Sequence, residues 1–206
     1  LRLLQDKVSA HYLVSESAKI FQLVDESKRA WHAGTSFWGD KNDLNNTSIG
    51  IEIVNLDGNC NPYVDEQIEA TIFLCKQIIA KHNIAPEFIL AHSDIAPCRK
   101  DDPGILFPWN RLYKNGVGAM ADLADILELE KTISLPTALE LQQSLAKYGY
   151  QIDLTNKFDE QTMIVLNAFR RHFCPSFFGY EVEKTSYATL LMLIARKSYT
   201  KNLPNL

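Results

Sequence analysis

A short apolar run that ends in a histidine constrains this chain more than any other stretch. Phe88-Ile89-Leu90-Ala91 reads as a strand with His92 at its end. The loop behind it, Ser93 to Gly104, carries Pro97 and Pro103, the basic pair Arg99-Lys100, and the aspartates Asp101 and Asp102. Open α/β sheets place their chemistry at the carboxyl ends of strands. A nitrogen ligand, carboxylates and a fixed cation within one such loop suit metal-dependent hydrolysis.

Composition narrows the class without naming it. With 206 residues the chain can hold one ordinary domain and a small second one. A net charge of -4 and a pI near 5.7 argue against a nucleic-acid partner, which calls for a basic face. No apolar run approaches the roughly 20 residues needed to span a bilayer, and Leu1 to Lys7 lacks the apolar core of a signal peptide. Cys60, Cys75, Cys98 and Cys174 form no zinc-knuckle spacing and read as small apolar residues, not as a two-disulfide framework. Cys98 lies six residues from His92, but no orienting third group accompanies the pair, so a cysteine nucleophile is disfavoured.

The first half alternates strands and helices. Ala10–Val14 and Ile20–Val24 form a hairpin across a polar loop, and Gly34 to Thr47 is a loop rich in Gly, Asp and Asn. Ser48–Val54 is a further strand, with Ile49, Ile51 and Ile53 on one face and Gly50, Glu52 and Val54 on the other. The glycine beside the carboxylate leaves room there for a ligand. Helical spacing runs from Val64 to Asn83, where Asn83 and Pro86 mark the stop, and a short helix covers Trp109 to Lys114. After a connector with an amphipathic segment at Leu123 to Leu129, three short helices follow, around Leu139–Tyr148, from Phe158 through Phe173, and over Thr185–Lys197. The expected fold class is α/β, a central mixed sheet with flanking helices plus a small three-helix bundle. The division is residues 1–118, a linker over 119–135, and the bundle over 136–206.

Four motifs in order resemble the zinc-dependent N-acetylmuramoyl-L-alanine amidases of the amidase-2 type, which share a fold with peptidoglycan recognition proteins. They are Ser9-Ala10-His11-Tyr12, Ala30-Trp31-His32-Ala33-Gly34, Asn46-Thr47-Ser48-Ile49-Gly50-Ile51-Glu52, and the segment from His92 to Gly104. The tail resembles the three-helix peptidoglycan-binding domain through Leu141-Gln142, Tyr148-Gly149-Tyr150, Phe158, Thr162 and Phe169. The combination is most similar to the envelope amidases of Gram-negative bacteria.

The resemblance implies Zn2+ as cofactor, with His92 and Asp102 as ligands. It implies Glu52 as the carboxylate that moves protons and Lys100 as the cation that stabilises the oxyanion. Trp31 and His32 are expected to line the substrate groove, with core packing equally open for Trp31, and Glu52 reads as a strand carboxylate buried between isoleucines. The family's first zinc histidine sits on an opening strand ahead of the Ser9–Tyr12 motif. No counterpart is present, so the expectation is an amino-terminally incomplete catalytic domain. The implied partner is peptidoglycan or a released muropeptide, the implied place the periplasm, with an outer-membrane lipid anchor upstream and a monomeric state. The competing expectation is a non-catalytic peptidoglycan receptor, which the joint presence of Glu52, Lys100 and Asp102 disfavours.

Overall fold

The computed structural model describes residues 8–179 and 181–201, with backbone only at 198–201. Leu1 to Lys7, the stretch read above as lacking a signal peptide, lies outside the described residues, as does 202–206.

The sheet is mixed and three-stranded. β1 (Tyr12–Val14) is central, antiparallel to β2 (Ile20–Gln22) and parallel to β5 (Ile51–Ile53), with Leu13 opposite Phe21 on one side and Glu52 on the other. The alternation expected at Ser48–Val54 is present, since Ile51 and Ile53 pack on the apolar clusters beneath the sheet while Glu52 points out of them. The burial expected for Glu52 is not found. It stands exposed, so no buried charge has to be compensated. α1 (Asp65–His82) covers the sheet and buries Ile68, Ile72, Leu74, Cys75 and Ile78. It ends where Asn83 turns left-handed (φ 50°, ψ 50°) and returns its N–H to the Ile79 carbonyl.

Two expectations fail locally. The loop from Gly34 to Thr47 contains a tight hairpin, β3 (Phe37–Trp38) with β4 (Lys41–Asn42), and a 3-10 turn at Leu44–Asn46. Two-residue strands leave no alternation to detect. Phe88–Ala91 is not a strand. Pro86–Phe88 forms a 3-10 turn, and Ile89 and Ala91 are extended but have no ladder partner among the described residues. The Ala91 N–H is taken by the Asp94 carboxylate at 2.7 Å, and His92 therefore opens a one-turn helix, α2 (His92–Ile95), instead of closing a strand.

α3 (Trp109–Lys114) falls where expected. Four helices follow: α4 (Leu123–Thr132), α5 (Ala138–Tyr148), α6 (Glu160–Phe173) and α7 (Lys184–Lys201). α5 starts with a reciprocal capping box between Thr137 and Glu140, and α6 with Asp159 accepting the Thr162 N–H. Their inner faces make one apolar cluster with Leu141, Leu145, Val165, Phe169, Leu190 and Leu193. That cluster also contains Ala33, Trp38 and Leu44 from the first half of the chain. Trp38 stands edge-on to Tyr148 and Tyr150, on the spot that a Cβ at Gly149 would occupy (2.7 Å from the indole).

Candidate active site

The six residues singled out from the sequence line one open cavity of about 660 Å³: Trp31, His32, Glu52, His92, Lys100 and Asp102. Glu52 enters from β5, Trp31 and His32 from the loop after β2, and the other three from α2 and the loop after it.

His92 and Asp102 meet directly. His92 Nδ1 lies 3.0 Å from Asp102 Oδ2, and His92 Nε2 lies 3.2 Å from the Ala33 carbonyl oxygen. A carbonyl has no proton to give, so Nε2 is the donor there, as a ligating imidazole usually donates its second N–H to a backbone carbonyl. In the neutral ring this leaves a lone pair on Nδ1 facing the carboxylate. Two lone pairs at 3.0 Å need a proton or a metal cation between them, and a nitrogen–oxygen pair of this kind suits zinc. Among the described residues no group of three His, Cys, Asp or Glu is arranged to hold a metal. Partial burial pushes the Asp102 carboxyl up, but with a proton on His92 Nδ1 the hydrogen bond and charge of His92, together with Lys100, outweigh this and hold it below the usual carboxylate range.

His32 fills the space expected to await a ligand over Gly50. A Cβ at Gly50 would fall 2.2 Å from the imidazole Cγ, so only glycine lets the ring sit there. Burial, reinforced by the neighbouring charges of His11 and His92, pushes the His32 pKa down to about 4, and its buried Nε2 has no hydrogen-bond partner. Trp31 is exposed, not part of the core, and the Arg29 guanidinium lies 3.9 Å above its ring. Its backbone N–H is held by Ser9 Oγ at 2.9 Å, and the cation covers one face of the ring.

Several groups that shape the site carried no sequence signal. Buried Asn45 accepts the backbone N–H groups of His32 and Ala33 at 2.9 and 2.8 Å. Arg99 donates to the Ala33 and Thr35 carbonyls at 2.8 and 3.0 Å. Both act on residue 33 from distant positions, so no local spacing reveals them.

The sequence model of the family described as N-acetylmuramoyl-L-alanine amidase matches residues 2–105. The curated N-acetylmuramoyl-L-alanine amidase AmiD of Escherichia coli is 39% identical over 95% of this chain and 77% of its own length. The structure of that AmiD with anhydro-N-acetylmuramic acid-L-Ala-D-γ-Glu-L-Lys superposes with a TM-score of 0.83 at 37% identity, covering 93% of this chain and 80% of the other. AmpDH3 from Pseudomonas aeruginosa gives a TM-score of 0.88 at 35% identity, covering 96% and 86%. The order of motifs, the mixed sheet and these likenesses over nearly the whole chain lead to one family: the chain is a member of the N-acetylmuramoyl-L-alanine amidases, which hydrolyse the amide between N-acetylmuramic acid and L-alanine.

Proposed function

We propose that the cavity hydrolyses this amide in a muropeptide or in peptidoglycan with a zinc ion held by His92 and Asp102. The observation that carries the proposal is the convergence of His92 Nδ1 and Asp102 Oδ2 in a cavity that Glu52 and Lys100 also line. Bound zinc supplies Lewis acidity and a nucleophile at neutral pH.

Glu52 takes a proton from the attacking water and returns it to the departing L-alanine nitrogen. Its exposure to the cavity leaves the carboxylate free for this exchange. The Lys100 ammonium stabilises negative charge as it grows on the attacked carbonyl oxygen. Trp31 offers an apolar face to sugar or stem peptide, and His32, held neutral, offers shape without charge. The helical region, residues 136–206, serves as a peptidoglycan-binding unit in this reading. In this reading the protein works in the periplasm as a monomer.

The test pairs metal content with turnover. Zinc is measured by elemental analysis on this chain and on one extended at its amino terminus, and release of stem peptide from an anhydro-N-acetylmuramyl peptide is followed by mass spectrometry. Stoichiometric zinc with chelator-sensitive release supports the assignment, and zinc in the extended form alone assigns a third ligand to the added segment. Muropeptide binding with neither zinc nor release favours the non-catalytic receptor.

A further inference from the structure

α6 ends in three consecutive polar residues that divide their work. Arg170 turns inward and is satisfied within the helical region, by Glu183, Ser186 and the carbonyls of Gly179 and Glu181. The next two residues reach the other way, to the loop that carries His92, Lys100 and Asp102. Arg171 makes an ion pair with Asp101 at 2.8 Å. His172 Nδ1 donates to Asp94 Oδ2 at 2.7 Å, with both side chains fully buried, and Tyr150 donates its hydroxyl to Asp94 Oδ1 at 2.5 Å. The His172 ring is stacked between Trp109 and Phe173 at centroid distances of 3.7 and 3.9 Å, which fixes the direction of its Nδ1–H.

The two anchored aspartates bracket the loop. Asp94 lies two residues after His92, and Asp101 lies between Lys100 and Asp102. The loop is tied just outside the bracket by the Ser93 N–H to the Asp102 carbonyl at 3.0 Å and within it by the Lys100 N–H to the Ala96 carbonyl at 3.0 Å. Neighbouring residues of one rigid helix thus hold both ends of the loop at a set separation. We infer that the helical region is part of the catalytic apparatus, with Arg171, His172 and Tyr150 as positioning residues that hold the His92–Asp102 loop in register. This rests on the roles proposed above for His92, Lys100 and Asp102. A region that served only to tether the enzyme to the wall would need no such grip on this loop.

The experiment compares His172→Leu, His172→Asn and Arg171→Ala with a control, Leu190→Ala, which opens the helical core but leaves the partners of Asp94 and Asp101 in place. Amide hydrogen exchange reads the loop without metal or substrate, and kcat and KM on an anhydro-N-acetylmuramyl peptide are measured alongside. The expected result is exchange about tenfold faster across residues 93–104 in His172→Leu and Arg171→Ala. Their kcat is expected to fall by about 10- to 100-fold with KM nearly unchanged. His172→Asn, which keeps a donor near the Nδ1 position, recovers most of both, and Leu190→Ala moves neither. Unchanged exchange across 93–104 overturns the inference. So does faster exchange with unaltered kcat, or an equal loss in Leu190→Ala. The kinetics use the amino-terminally extended chain, and a zinc-loaded extended parent that leaves the peptide uncleaved overturns the proposed amidase site instead, in which case exchange alone decides whether the loop is held.

Discussion

The two walls of the cavity are built on different principles. Around residue 33 the backbone is held by side chains from elsewhere: Asn45 takes its N–H, and Arg99 and His92 both donate to its carbonyl. Ala33 is buried completely, and the His92 loop is fixed in turn from α6. The other wall leaves β5, where Glu52 and Ile53 pair with β1, for a loop from Asn55 to Asn59 whose turns depend mainly on their own sequence. Asp57 N–H bonds Asn55 Oδ1 and Asn59 N–H bonds Asp57 Oδ1, both local Asx turns. Its base is tied at Gly58, whose carbonyl accepts the Leu106 N–H, but Leu56 at its tip is 89% exposed. Local opening is easiest where contacts are few and close in sequence. The fixed wall carries the residues proposed to hold a metal, and the adaptable wall carries the exposed Leu56.

The sharpest way to break this contrast is at Glu52, where the adaptable wall leaves the sheet. Glu52→Gln should lower kcat by about 10²–10⁴, or about 3–5 kcal/mol in the barrier, with folding unaffected because the side chain is exposed. Steady-state kinetics with a thermal melt checks both halves. On the fixed wall the loss should appear in stability. Asn45→Ala leaves two backbone N–H groups without their acceptor and should cost about 2–4 kcal/mol in urea unfolding. Gly50→Ala pushes the His32 ring from its seat and should cost about 1–3 kcal/mol.

Acid separates the cavity from the sheet edge. An unfolded histidine takes up its proton near pH 6.5, whereas His32 in the fold resists to about 4, so stability should fall as pH drops from 6.5 toward 4. Glu26, held down to about 2 by Lys81, Tyr12 and His82, stabilises the fold above its ordinary value of 4.5, and that contribution disappears between pH 4.5 and 2. Chemical unfolding along a pH series should show both limbs, with His32→Gln flattening only the upper one. The smallest effect belongs to the loop tip. Leu56→Ser should change stability by less than about 0.5 kcal/mol, so any rise in KM it causes reports contact with substrate.

What the sequence disclosed follows from the range of the forces involved. α1 and α3 were legible because apolar spacing and caps act within a few residues, and the β1–β2 hairpin because its strands alternate on either side of a turn. The six cavity residues were found through motif resemblance. Spacing alone left Trp31 divided between core and groove, and only the cation stacked on its ring shows why it tolerates water. Phe88–Ala91 misled because an apolar run indicates an extended chain, which Ile89 and Ala91 are, but not whether a neighbouring strand is present to pair with it. The hold of α6 on the His92 loop left no local trace, since His172 and Asp94 are separated by 78 positions.

Trp38 gives the molecule a chronology. The indole belongs to a hairpin made early in synthesis, yet its place is against Tyr148, Gly149 and Tyr150. At about 5–20 residues per second the ribosome needs roughly 5–20 s to reach those partners. Throughout that interval a large aromatic surface lacks its late partners, the kind of transiently exposed apolar surface that chaperones exist to cover.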